Sequence, residues 1–297
     1  MLGDTPKVAV LIPYIGEALP SWFDLFALTA QKSHDLFDWY ILVTEAQTRK
    51  TPENVKLIQI SRDLLYQRLS LLDRSSFSNS TTTGNDYILI DMFRALIDKH
   101  PYVLVEFKSC LGFMFSDLVE GYSHWAYADM DMLAGRVDSF VTAQHIHTFD
   151  IITLSFGDNN RLYMRGQMTI NRNSDHVRNL WARCNHLSQI RTRLSAYYND
   201  GVNQGKWAFQ SAEGCYSRAV MDDASVRVLI LPTQVTDAYR AELLDKESFM
   251  IAGAILKCYQ EPLNTTNFAA LEEFLHPRYS LTLALPFTPT QIAAILS

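Results

Sequence analysis

The chain has 297 residues, 48% hydrophobic and 12% aromatic, enough apolar material for a large packed core and too much for a disordered or fibrous protein. Lys and Arg number 26 against 32 Asp and Glu, a net charge of −6 with no long basic run, which gives no support to nucleic-acid binding. An anionic substrate would have to be met by a local device, such as a metal ion or a few placed lysines and arginines.

Val8 to Ile12 is an unbroken aliphatic run, the pattern of a strand buried on both faces of a parallel sheet. It is too short for a signal-peptide core and lacks a small-residue cleavage site, and no segment reaches the length of a membrane span. The expectation is a cytoplasmic protein with no membrane span in this chain. Pro13 stops the run, and Pro13-Tyr14-Ile15-Gly16-Glu17 reads as an irregular loop. Trp22, Phe23, Phe26 and Ala30 follow at helical spacing, with strands expected at Trp39–Thr44 and Val55–Ile60. Strand, helix, strand at these intervals is a βαβ unit. Ligands of such sheets sit beyond the carboxyl ends of the strands, so Pro13, Tyr14, Ile15, Thr44 and Glu45 share a rim.

Residues 74–86 are the most polar stretch and read as a surface loop or lid. The sequons at Asn79 and Asn264 are taken as chance matches. Cys110 to Val119 reads as a helix, and His124–Ala128 as a strand running into Asp129-Met130-Asp131. Further strands are expected at Asp150–Ser155, Gln167–Arg172 and Val226–Leu231, and helices at Asp175–Leu187, Trp207–Met221 and Phe249–Tyr259, with Ile292–Leu296 as a packed tail. The four cysteines show neither a zinc spacing nor a disulfide scaffold and read as reduced thiols. The organisation expected is one α/β domain over 1–235, with a helical extension over 236–297 packed on it.

Two aspartates one residue apart at a strand end point roughly the same way, because strand side chains repeat every second position. Asp129 and Asp131 thus offer hard carboxylate oxygens to Mn²⁺ or Mg²⁺ and leave room for phosphate oxygens as further ligands. An isolated Asp-x-Asp is more often a solvated turn. Here the pair follows an aromatic strand in a chain with a βαβ start.

Longer motifs carry a resemblance. They are Val10-Leu11-Ile12-Pro13-Tyr14-Ile15-Gly16, Asn54-Val55-Lys56-Leu57-Ile58, Glu106-Phe107-Lys108, Gly121 through Asp131, Phe149-Asp150-Ile151-Ile152-Thr153, and Arg165-Gly166-Gln167-Met168-Thr169-Ile170-Asn171-Arg172-Asn173. Over roughly the first 220 residues the chain resembles small GT-A glycosyltransferases of bacteria, algae and large algal viruses. The resemblance implies a GT-A (Rossmann-like) mixed central sheet flanked by helices. It also implies a nucleotide-sugar donor (UDP-sugar favoured), a divalent cation, and transfer onto a hydroxyl of a glycan or other acceptor. By that likeness Pro13, Tyr14, Thr44 and Glu45 flank the nucleoside, with Ile15 and Met130 in the same donor-facing segments. Lys108 approaches the diphosphate or donor sugar, and Asp129 and Asp131 take the ribose and metal roles. The chain departs from that pattern with Glu106 where Asp is usual and Gln167 where His is frequent. Its Trp207-Ala208-Phe209-Gln210-Ser211-Ala212-Glu213 also has altered spacing.

An inverting enzyme, the version favoured here, needs a carboxylate to take the proton of the acceptor hydroxyl. Glu213 is the candidate, and with Asp131 it makes up the catalytic pair; its plainer reading is a solvated helix carboxylate near Lys206 and Arg218. Lys108 likewise reads as either a phosphate ligand or a solvated lysine. His145 and His147, on one strand-like face near Asp150, and His276 are weaker metal candidates. Trp22, Trp39, Trp125 and Trp181 read as core, and Trp207 as core or a sugar platform. Two other functions compete: a haloacid-dehalogenase-like phosphatase using the Asp-x-Asp pair, with Asp222-Asp223 as its later acidic pair, and a non-catalytic sugar- or nucleotide-binding module of the same fold.

Overall fold

A computed structural model of the chain describes residues 6–73, 85–154, 163–196, 212–231 and 256–257. β1 (Val8–Tyr14), α1 (Phe23–Ala30), β2 (Phe37–Val43) and β3 (Val55–Gln59) open the fold. α2 (Arg62–Ser70) starts on Ser61, whose hydroxyl accepts the Leu64 N–H at 3.0 Å, and α3 (Asn85–Lys99) packs beside it. A 3-10 helix (Pro101–Cys110) and α4 (Leu111–Met114) lead into β4 (His124–Ala128). β5 (Met132–Leu133), α5 (Ala143–Thr148), β6 (Ile151–Leu154) and β7 (Met168–Arg172) come next. α6 (Asp175–Arg178), α7 (Asn185–Ser188), α8 (Ile190–Ala196), α9 (Ala212–Met221), β8 (Val228–Leu231) and β9 (Leu256–Lys257) complete the described elements.

Seven strands form one sheet in the order β3-β2-β1-β4-β7-β6-β8. β7 runs antiparallel to β4 and β6, and the remaining neighbours are parallel. This is the mixed, Rossmann-like α/β sheet expected. The first five residues of β1, Val8–Ile12, show why the run is aliphatic. Ala9 and Leu11 enter one core with α2, α3, α9, Trp125 and Tyr127. Val8, Val10 and Ile12 enter a second core with α1 and Trp39. Alternate residues serve opposite faces, so no position is left for a polar one. Trp39, Trp125 and Trp181 are fully buried, and Trp22 is half-buried. α4 reaches Trp125 so closely that a Cβ on Gly112 would stand 2.2 Å from the indole.

Several elements differ from expectation. β1 does not stop at Pro13, which pairs with Leu42 while Tyr14 pairs with Val43. The Val8 N–H points to Leu36 on the β2 side, so odd residues, Pro13 among them, face β4. β4 leaves β1 after the Leu11–Tyr127 pair, and the missing proline N–H has no ladder partner to lose. The helix expected over Cys110–Val119 is confined to α4, after the 3-10 helix. That expected over Asp175–Leu187 is broken into α6, a 3-10 turn (Leu180–Arg183) and α7. Leu256–Lys257, within a stretch expected to be helical, pairs antiparallel with Met132–Leu133, where long-range pairing overrides local pattern.

His145 and His147 lie on α5, not on a strand. Two positions apart on a helix they do not face each other, and the His145 Nδ1 is taken up locally, donating to the Phe140 carbonyl at 3.1 Å in one tautomer or accepting the Thr142 N–H at 3.3 Å in the other. The cysteines also correct expectation: Cys184 and Cys215 form a disulfide with an S–S distance of 2.01 Å, while buried Cys110 is not disulfide-bonded. Scattered spacing hid the pair because the fold, not the sequence, brings positions 31 apart together. Among the described residues no helix is long and apolar enough to cross a membrane. Both sequons, residues 74–84, Lys206, Trp207, His276, the tail at 292–296 and all of 236–297 except 256–257 lie outside the described residues.

Candidate functional site

β1, β2 and β4 are parallel, so their carboxyl ends open on one rim. Tyr14 ends β1; its hydroxyl donates to the Ala18 carbonyl at 2.8 Å, and burial pushes its phenol pKa up. Ile15 is half-buried against the first core. Thr44, just past β2, is 6% exposed, and its Oγ1 has no hydrogen-bond partner among the described residues. Glu45 faces solvent with Arg62 Nε at 3.7 Å. Met130 turns away from the rim into the second core.

The centre of the rim is built by the antiparallel pairing of β4 with β7. The ladder ends at Ala128 opposite Met168, and the Asp129 N–H then donates to the Gln167 carbonyl at 3.2 Å. Gly166 is thereby carried back beside Asp129. Lys108, near the end of the 3-10 helix, inserts its ammonium between them, bonding the Asp129 carboxylate and donating to the Gly166 carbonyl at 2.9 Å. At 7% exposure it is not a solvated lysine. Burying an ammonium is tolerable only with such partners.

Glu213, in the first turn of α9, closes the group. Its carboxylate accepts from the Gly166 N–H and the Tyr163 hydroxyl. A Cβ on Gly166 would stand 2.0 Å from its Oε1 and 3.6 Å from Lys108 Nζ, so the carboxylate fills the space a side chain would need. Burial raises the Glu213 pKa above the ordinary carboxylate value, and Asp129 adds to the rise; Lys108, Tyr163 and Gly166 oppose it. The plainer reading of a solvated helix carboxylate near Arg218 is therefore not what the chain does; Arg218 pairs with Asp222 on another face at 2.8 Å.

α9 is firmly held. Cys215 bonds Cys184, Tyr216 donates to Asn171 Oδ1 at 2.9 Å, and the Ser217 hydroxyl accepts the Met164 N–H at 2.7 Å. Its first N–H, on Ala212, donates to Glu106 Oε2 at 2.6 Å. Asp131 is half-buried, directly before β5. Among the described residues no group of three His, Cys, Asp or Glu side chains gathers as a metal cluster. A cation at this rim would have Asp129 and Asp131 as its hard oxygen donors. An open cavity of about 680 Å³ lies at the opposite, amino end of the strands. Its cations Lys7 and Lys56 are already paired with Asp38, at 3.6 and 3.5 Å.

The profile of a family of unknown function, DUF6625, matches residues 10–261. The chain belongs to the DUF6625 family. No curated protein matches it by sequence. Among solved structures it is similar to the 4-diphosphocytidyl-2C-methyl-D-erythritol synthase of Anaerococcus prevotii, at 7% identity and a TM-score of 0.35, over 80% of this chain and 93% of that one. The span matched to DUF6625 holds the whole rim group, from Tyr14 through Lys108 and Asp129 to Glu213. The sequence pointed to Lys108, Asp129 and Glu213 separately, but not to Gly166 and Tyr163, which bind Glu213. Only the return of β7 beside β4 brings Gly166 next to the aspartate. Asp222 and Asp223, a possible second acidic pair, follow the far end of α9, about 14 Å along the helix from Glu213 at 1.5 Å per residue. Asp223 is paired there with His176 and Arg183, both at 2.8 Å.

Proposed function

We propose that the chain is a glycosyltransferase that moves a sugar from a nucleotide-sugar donor, UDP-sugar favoured, to a hydroxyl of a glycan or other acceptor, with Mn²⁺ or Mg²⁺. The observation that carries the reading is the group of Lys108, Asp129 and Glu213, one buried ammonium and two carboxylates, at the carboxyl end of β4. The neighbouring rim supplies the nucleoside side: Pro13, Tyr14 and Ile15 from the end of β1, and the unpartnered hydroxyl of Thr44. Such a hydroxyl is costly to bury without a partner, and a ribose or base polar group would meet that need.

In this reading Lys108 binds the donor diphosphate, releasing part of its hold on Asp129 as the ligand's negative charge arrives. Asp129 and Asp131 have the hard oxygens a divalent cation requires, and two carboxylates leave positions for diphosphate oxygens and water. Bound there, the cation would offset charge building on the leaving diphosphate. Glu213 accepts the proton of the acceptor hydroxyl as that oxygen attacks the anomeric carbon from the face opposite the leaving group, giving inversion. Its raised proton affinity suits a base better than an ordinary surface carboxylate. The phosphatase reading loses its second acidic pair, because Asp222 and Asp223 are engaged at the far end of α9.

The test is donor turnover with Mn²⁺ in the wild type and in Asp131→Ala. Loss of donor hydrolysis and transfer in a variant that stays folded is expected. Activity that survives the substitution, or turnover of a generic phosphate ester without any sugar nucleotide, would overturn the assignment.

A further inference from the structure

Glu106 is absent from the chemistry described so far, yet it touches the element that presents Glu213. It belongs to the same 3-10 helix as Lys108, two residues earlier. Its Oε2 accepts the N–H of Ala212 at 2.6 Å. Ala212 is the first residue of α9 and the chain neighbour of Glu213. The first N–H groups of a helix have no partner within it, and a carboxylate placed there also meets the positive end of the helix dipole. One hydrogen bond therefore joins the segment carrying Lys108 to the turn carrying Glu213.

We propose that Glu106 is a positioning residue, which sets the place of Glu213 at the rim by holding the first turn of α9 to the segment that carries Lys108. The rest of α9 is secured through Cys215, Tyr216 and Ser217, all beyond Glu213. The Glu106 bond is the tie on the other side, and together they bracket the carboxylate. Glu106 also faces Glu213 electrostatically, and Arg193 balances it from α8. The groups facing Glu213 are then Lys108, Asp129, Glu106, the Tyr163 hydroxyl and the buried Tyr127 phenol. The inference rests on the reading of Glu213 as the base.

Three variants separate reach from charge. Glu106→Gln keeps an acceptor oxygen at the same reach and loses the charge. Glu106→Asp keeps the charge and falls one methylene short. Glu106→Ala removes both. Positioning predicts that Gln retains most of the wild-type kcat, while Asp and Ala each lose about 10²-fold, the cost of a base displaced by about an ångström, with donor KM little changed. It also predicts that the Glu213 carboxyl resonance, in ¹³C-glutamate-labelled protein and identified by its loss in Glu213→Gln, moves in Asp and Ala. The opposite order, with Asp active and Gln as poor as Ala, would overturn the proposal. So would a Glu213 resonance and titration unchanged in all three variants, even if their thermal stability fell. The resonance needs no turnover, so an absent transferase activity would count against the proposed function while leaving the role of Glu106 decided.

Discussion

Glu213 combines a hydrogen-bonded place with a raised proton affinity. A carboxyl whose folded pKa lies above its unfolded one is stabilised when protonated, so its charge weighs against folding above that pKa. Glu213→Gln should therefore raise the melting temperature at neutral pH while lowering kcat by about 10²–10⁴-fold, the usual contribution of a general base. A parallel loss of stability and activity would count against this. The acid limb of the wild-type kcat/KM profile should lie above the ordinary glutamate range, because the working form is the ionised one. Gly166→Ala should mimic a displaced base: its new Cβ would meet Glu213 Oε1, so kcat should fall with little loss of fold. His124, at the other end of β4, gives a separate pH signature. It is fully buried, and burial pushes its pKa down to about 4, against about 6.5 unfolded. It is neutral when folded, so the stability it allows is complete above pH 6.5 and is lost as pH falls towards 4. The loss comes to about 3 kcal/mol. Urea melts of the wild type and His124→Gln across that window should diverge in slope; parallel curves would refute the assignment.

At the scale of elements, strands whose residues all face a core were legible and the breaks in helices were not. β4 was read to the residue, because His124–Ala128 is bounded by a turn and by Asp129. β1 ran two residues further than Pro13 suggested, since a proline is permissible once the neighbouring strand has left. Asp175–Leu187 was expected to be one helix; Val177, Leu180 and Trp181 are all buried, but Val177 lies on α6 and the other two on the 3-10 turn that follows it. Nothing in the residues around Cys184 and Cys215 predicts their pairing, which depends on α9 folding back over the 3-10 turn. That bond closes a loop of 31 residues beside Glu213, and reducing it should cost about 3–4 kcal/mol of stability by the loop-entropy relation. Melting curves with and without a reductant, against Cys184→Ser as control, would check this; an unchanged midpoint would contradict it. Gly112→Ala should cost about 1–3 kcal/mol by overpacking Trp125, measured as a shift in denaturation midpoint.

For the molecule as a whole, the parallel βαβ start and the rim at its carboxyl ends followed from hydrophobic patterning and the rules of parallel connection, and the mixed sheet was what the resemblance implied. The assembly of the site did not. Lys108, Asp129 and Glu213 are distributed over more than a hundred positions, and their meeting depends on β7 returning antiparallel between β4 and β6 and on α9 crossing above it. Pattern locates strands and strand ends, whereas the approach of a helix to a strand end is a tertiary fact. Donor identity lies further still from the sequence, since a hydroxyl or a methyl in the pocket decides it. The most direct test of the account is calorimetry of the full chain with UDP-, GDP- and TDP-sugars, with Mn²⁺ and with a chelator, in the wild type and Asp131→Ala. One nucleotide sugar, UDP-linked by preference, should stabilise the wild type only with the cation, by about 2.7 kcal/mol at a hundredfold excess over Kd, and leave Asp131→Ala unmoved. Equal stabilisation of both proteins, or none by any nucleotide sugar, would contradict it.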